Sequence, residues 1–134
     1  MASIDGIFNK NIFFQDGLLG LEEYKTYVIE EIEENGVFYL LQNLEDEQLG
    51  IIVTNPFIFK EDYEIKLDDK LIEELEIKKE DEVLVVNTVT LGKNREDFTS
   101  NLMAPLIINV ANSRGKQVIL NDSKYKIKEK IFKE

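Results

Sequence analysis

The chain has 134 residues, 43% of them apolar and 32% charged, and its 27 Asp+Glu against 16 Lys+Arg give a formal net charge of −11. It contains no histidine, no cysteine and no tryptophan. Thiolate and imidazole zinc sites, Ser-His-Asp triads, Cys-His pairs and disulfides are thereby excluded within one chain, and the remaining anionic surface repels nucleic acid and attracts basic proteins.

Taken in chain order, the pattern is mostly strands. Residues 8–14 read as extended, followed by a turn bounded by Gly17 and Gly20. Residues 27–32 and 37–42 read as two strands joined at Asn35-Gly36, a hairpin signal because both residues tolerate positive φ. Glu45-Asp46-Glu47 is a polar loop, and residues 49–54 form a further β-branched strand that Asn55-Pro56 ends. Tyr63, Ile65 and Leu67 alternate with Glu64 and Lys66, the period of a half-buried strand. Asp68 or Asp69 caps a short helix through Glu76, with Leu71, Ile72 and Leu75 on one face.

Residues 83–91 are the longest β-branched run. After a polar loop at 92–97, residues 102–110 and 117–120 read as two more strands around a turn at Ser113-Arg114-Gly115-Lys116. From Lys124 onward lysines alternate with Tyr125, Ile127 and Ile131, which fits an edge strand, a docked helix or a loose arm over 126–134. The expected fold class is all-β and mainly antiparallel, a small barrel or roll with one short helix near residues 69–76. The length suits one domain over residues 1–134.

Catalytic motifs do not emerge. Gly115-Lys116 lacks the upstream glycine and the following Ser/Thr of a phosphate loop. The acidic groups at 45–47, 68–69 and 80–82 lack the spacing and central glycine of an EF-hand. Among 27 acids some pair falls at a glycosidase distance by chance, so a small acidic enzyme using paired carboxylates is an alternative without a specific signal. A structural subunit of a larger assembly is the other alternative. No apolar run reaches the ~20 residues of a membrane span, and the N-terminus lacks the regions of a signal peptide. The expectation is a cytoplasmic protein, with no cofactor and no metal.

Charge is unevenly placed along the chain. Residues 1–82 hold 22 acids and 7 bases, a net of −15, whereas residues 83–134 hold 5 acids and 9 bases, a net of +4. Such a chain can present two electrostatic faces, or its acids can simply keep a small domain soluble.

Asn101-Leu102-Met103-Ala104-Pro105 leads through Gly115-Lys116-Gln117 to Val118-Ile119-Leu120 and Tyr125. Upstream stand Phe14-Gln15-Asp16-Gly17-Leu18-Leu19-Gly20-Leu21-Glu22, and Asn55-Pro56-Phe57 followed by Asp62-Tyr63. In this order and spacing the three segments resemble the bacterial flagellar assembly factor FliW family, from about Gly6 to Tyr125. The chain departs at Leu19, where the family usually has proline, and at Leu21, where it has phenylalanine.

The resemblance implies a compact β-barrel-like fold and a non-catalytic regulator of flagellar assembly. It implies binding to the RNA-binding translational regulator CsrA, which the family antagonises, and to flagellin, which releases CsrA. No direct nucleic-acid contact and no membrane are expected, and the free chain is expected to be monomeric. Candidate protein-binding residues are Glu45, Asp46, Glu47, Asn55, Pro56, Phe57, Glu61, Asp62, Tyr63 and Glu64. For Asn55-Pro56-Phe57, ending a strand and burying a ring is the stronger reading of the residues alone. Asn109 and Gln117 read as buried hydrogen-bonders.

Overall fold

The computed structural model describes residues 2–32, 37–121 and 124–132. The Asn35-Gly36 hairpin signal lies outside them. Strands β1 (Ile12–Phe14), β2 (Thr26–Glu31), β3 (Phe38–Asn43) and β4 (Gly50–Thr54) precede the helix α1 (Asp69–Glu74). Strands β5 (Val83–Thr90), β6 (Thr99–Ser100), β7 (Leu106–Asn109), β8 (Arg114–Gln117) and β9 (Glu129–Lys130) follow it.

Seven strands close into a barrel in the order β4-β3-β2-β1-β8-β7-β5, with β5 returning to β4. Among the described strand pairs β1–β8 alone runs parallel. The long β5 makes closure work by changing neighbours along its length. Val83–Val86 pair with β7, Asn87 and Thr88 pair with β4, and Val89 and Thr90 pair with β6. The expected mainly antiparallel barrel with one short helix is therefore the fold observed.

Alternation explains the inside. Tyr27 and Ile29, Tyr39 and Leu41, Leu84 and Val86, and Leu106 and Ile108 point into one core with Ile12, Phe14 and Val53. The intervening Val83, Val85 and Ile107 point outward, where Leu71 and Leu75 of α1 cover them. Burial on both faces is why β5 and β7 read as continuous apolar runs. Asp68 caps α1 by accepting the Leu71 N–H at 2.8 Å. The far end of the helix is tied to β7: Asn109 and Asn112 donate to the Leu75 carbonyl at 2.8 and 3.0 Å.

Of residues 8–14, expected as extended, only Ile12–Phe14 form a strand, and three further elements differ from the sequence expectation. Residues 63–67 alternate in burial as predicted but join no ladder. They cross the outside of the barrel with Tyr63 and Ile65 turned onto it, so the period records one packed side and not pairing. Residues 114–116, expected within a turn at 113–116, belong to strand β8; the turn lies at 110–113, where Ser113 takes φ 61°. Arg-Gly-Lys-Gln carries no apolar inward side chain because Phe14 fills that position, and a Cβ on Gly115 would stand 2.5 Å from the ring. The strand expected over 102–110 begins only at Leu106, after the buried Ala104-Pro105.

Of the three placements open for the tail, an edge strand is the one found. Glu129 and Lys130 pair with β6, Leu102 N–H donates to the Lys126 carbonyl at 3.0 Å, and Ile131 is buried. The described part of the 126–134 segment is thus docked and not a loose arm.

Candidate protein-interaction surface

The recurrent sequence segments converge where β8 ends. Gln117 links two of them directly. Its carbonyl oxygen accepts the Leu19 N–H at 2.8 Å, and its amide donates to the Ala104 carbonyl at 3.0 Å. Beyond it, Val118 N–H donates to the Pro105 carbonyl at 3.0 Å and Leu120 N–H to the Met103 carbonyl at 2.7 Å. Of the strand expected over 117–120 only Gln117 lies in a strand; residues 118–120 make these isolated backbone bonds outside any ladder. On the other side Tyr63 donates its hydroxyl proton to the Leu102 carbonyl and accepts from the Asn87 amide at 3.2 Å. The Tyr125 hydroxyl accepts the Glu64 N–H at 2.8 Å, and the two tyrosine rings meet edge to face, 4.8 Å between centroids. Burial pushes the Tyr63 hydroxyl pKa up to about 12. These residues join segments distant in sequence, and their side chains are turned inward to do so.

Between residues 64–68, α1 and residues 118–121 runs an open groove of about 490 Å³, lined among others by Glu64, Lys66, Glu74, Lys116, Leu120 and Tyr125. Lys116 lies 2.6 Å from Glu74 and 3.5 Å from Asp16, and nearby Arg114 lies 2.8 Å from Glu76. The β8 cations of the basic portion are thus paired with acids of the acidic portion.

The nominated binding residues divide into two groups. Glu45, Asp46 and Glu47 sit in the β3–β4 loop, while 55–64 follow the other end of β4, five residues or roughly 16 Å of strand away. Glu45 is engaged structurally: it accepts the Lys25 and Thr26 N–H groups at 2.6 and 2.8 Å. Those backbone donors, Thr26 foremost, hold its carboxyl below the ordinary glutamate range. Asp46 accepts the Gln48 N–H at 3.0 Å, and Glu47 is exposed.

At the second group, Asn55 caps a 3-10 turn, Pro56–Ile58, by accepting the Phe57 N–H at 3.0 Å. Pro56 is buried, and the Phe57 ring packs 5.8 Å from that of Tyr63, itself buried. Asn55, Glu61, Asp62 and Glu64 remain exposed, with Asp62 3.7 Å from Lys60.

Sequence reasoning missed a third surface, an outer apolar groove of about 380 Å³ lined by Ile32, Phe38, Ile52, Leu91, Phe98 and Phe132 among others. The signal for it was present as apolar residues at the outward positions of β3 and β4.

Among the described residues no cluster of three or more Asp or Glu is arranged to hold a metal. Glu22, Glu45 and Glu82 have shifted carboxyls, and all three shifts are downward because backbone N–H groups hold the ionised form. A proton-donating carboxyl in a glycosidase needs the opposite shift. No helix among the described residues is long and apolar enough to cross a membrane.

The fold and its surface define an acidic, closed seven-stranded β-barrel with its grooves on the outer wall. Residues 2–131 match the family model described as FliW protein, and the chain belongs to that family. It is 48% identical over 123 residues to the flagellar assembly factor FliW of Clostridium novyi (strain NT), covering 92% of this chain and 86% of that protein. It is 47% identical to the FliW of Clostridium tetani (strain Massachusetts / E88), covering 92% and 85%. A crystal structure of the flagellar assembly factor FliW superposes with a TM-score of 0.84 at 36% identity, covering 92% of this chain and 86% of the other.

Proposed function

We propose that this chain is a non-catalytic cytoplasmic regulator that binds and antagonises CsrA, and that flagellin binding releases CsrA. The observation that carries the reading is the family match over residues 2–131. Its physical complement is the net charge of −11. A protein that holds RNA phosphates must present a basic surface, and an acidic barrel docked beside it lowers the local potential and disfavours RNA without covering the RNA site. Glu61, Asp62 and Glu64, exposed and following the Asn55-Pro56-Phe57 turn, are the acids proposed for that contact.

The test is a competition. CsrA bound to this chain is titrated with flagellin while a labelled hairpin RNA reports free CsrA. Release of CsrA and recovery of RNA binding are expected, and the coupling must be reciprocal. A stable ternary complex with RNA still excluded at saturating flagellin would overturn the switch.

A further inference from the structure

The groove of about 490 Å³ beside α1 has unpaired backbone on two of its walls. Along one wall Val118 N–H donates to the Pro105 carbonyl, and Leu120 N–H, two residues on, donates to the Met103 carbonyl, two residues back. That spacing continues the register that sets Gln117 opposite Leu106. Successive residues of such a run turn their backbone groups to opposite edges, so the N–H and C=O of Ile119 are turned away from residues 103–105. They make no hydrogen bond among the described residues, and Ile119 lines the groove, 59% exposed. The facing wall is the alternating run at 63–67. There the Glu64 N–H is turned toward the Tyr125 hydroxyl, which accepts it at 2.8 Å. Lys66 stands two residues on, so its backbone groups are turned the same way, and they too make no hydrogen bond among the described residues.

The side chains add a preference of charge. Lys66, Lys70, Lys116 and Lys124 line this groove against Glu64, Asp68 and Glu74, in a chain whose net charge is −11. Two of those acids are already engaged. Asp68 accepts the Leu71 N–H at 2.8 Å, and Glu74 lies 2.6 Å from Lys116. Lys66 is exposed and forms no ion pair among the described residues, and the exposed Lys70 reaches Glu74 only at 3.9 Å. Lysine nitrogens thus exceed the carboxylates left to meet them inside the groove.

We propose that this groove binds, by strand addition, an extended segment of a protein partner that carries acidic side chains. Alternate residues of the segment bond the Ile119 backbone on one wall and the Lys66 backbone on the other, and its carboxylates meet the lysines. Main-chain pairing supplies affinity that depends little on sequence, and the lysines supply the preference for acid. The site goes beyond the contact with CsrA, which is assigned to acids of this chain, and neither reading depends on the other.

The experiment titrates the full chain with three short synthetic peptides and follows its backbone amides by NMR. One peptide alternates Glu with Val, the second has Lys in place of Glu, and the third is the Glu peptide N-methylated at alternate backbone nitrogens. The Glu peptide is expected to shift the Ile119 and Lys66 amides, and each altered peptide to bind about tenfold more weakly. Ile119→Pro removes the unpaired N–H at an exposed position, and Lys66→Glu reverses a lining charge; each should weaken the Glu peptide by a similar factor, with thermal melting confirming an intact barrel. Equal affinity for the N-methylated peptide would overturn strand addition, and equal affinity for the Lys peptide would overturn the acidic occupant. Shifts absent from both amides at saturating Glu peptide would remove the site altogether. Self-association of the free chain that Ile119→Pro abolishes would give the edge to a second copy and overturn the proposal.

Discussion

The Lys116 ammonium lies 2.6 Å from the Glu74 carboxylate and so fastens α1 to the outer face of β8. Both side chains are about three-quarters to two-thirds buried, so the pair is neither a loose surface contact nor a desolvated core pair. The hydrogen bond that Lys116 donates to Glu74 raises its pKa above the ordinary lysine value, with Asp16 adding to it. Lys116→Met should lower stability by about 1 kcal/mol or less. A raised pKa stabilises fully below the unfolded value of ~10.4 and is lost as pH rises through the folded value. Urea titrations should therefore show the variant and the unaltered chain drawing together as pH rises to strongly alkaline values. A gap unchanged at strongly alkaline pH would contradict this assignment.

Glu45 works in the opposite direction. Its carboxyl is held low by the Thr26 and Lys25 N–H groups, so its contribution is present above the ordinary glutamate value of ~4.3 and fades as pH falls through the depressed one. Glu45→Gln should flatten the acid limb of the stability profile. Acid denaturation curves of equal steepness for the two proteins would show that the loop does not depend on this carboxylate.

Tyr63→Phe removes the hydroxyl shared by the Leu102 carbonyl and the Asn87 amide. The Asn87 side chain is buried, and its own carbonyl oxygen already lacks a partner among the described residues. The expected loss is about 1–3 kcal/mol, read from the urea midpoint with an unchanged slope. The phenol titrates near 12 in the folded chain, so stability should also decline as pH rises above the ordinary tyrosine value of ~10 in the parent and less so in the variant.

Gly115→Ala should cost about 1–3 kcal/mol by overpacking, since the new Cβ meets the buried Phe14 ring. Combining it with Phe14→Leu should cost less than the sum of the two single changes, because the smaller side chain relieves the clash. Strict additivity in a double-mutant cycle would mean that the clash is relieved elsewhere.

Reversing Glu61, Asp62 and Glu64 to lysine should leave the melting temperature nearly unchanged and slow association with CsrA. Raising salt should slow association of the parent chain more than it speeds dissociation. The isolated parent chain should retain no hairpin RNA, since phosphates would meet a protein of net charge −11. Affinity indifferent to both the reversal and salt would assign the contact to apolar surface alone.

Much of this molecule is determined locally. The inward alternation of Tyr27 and Ile29, or Tyr39 and Leu41, follows from a two-residue period, and the Asp68 cap follows from an acceptor placed three residues before Leu71 N–H. Such features need only neighbours in sequence, so strand content, the helix and the family motifs were readable from the chain alone. Tertiary structure decided the rest, because each remaining feature depends on a partner far away. Gly115 belongs to a strand only because Phe14 fills its missing side chain. Residues 63–67 carry a strand's period without a ladder because their packed side meets the barrel wall. Acid-rich and base-rich portions mix because β8 lies under α1, which sets Lys116 against Glu74. The outer groove exists only once separate strand registers and the returning tail bring Phe38, Phe98 and Phe132 together, an arrangement that no local period encodes.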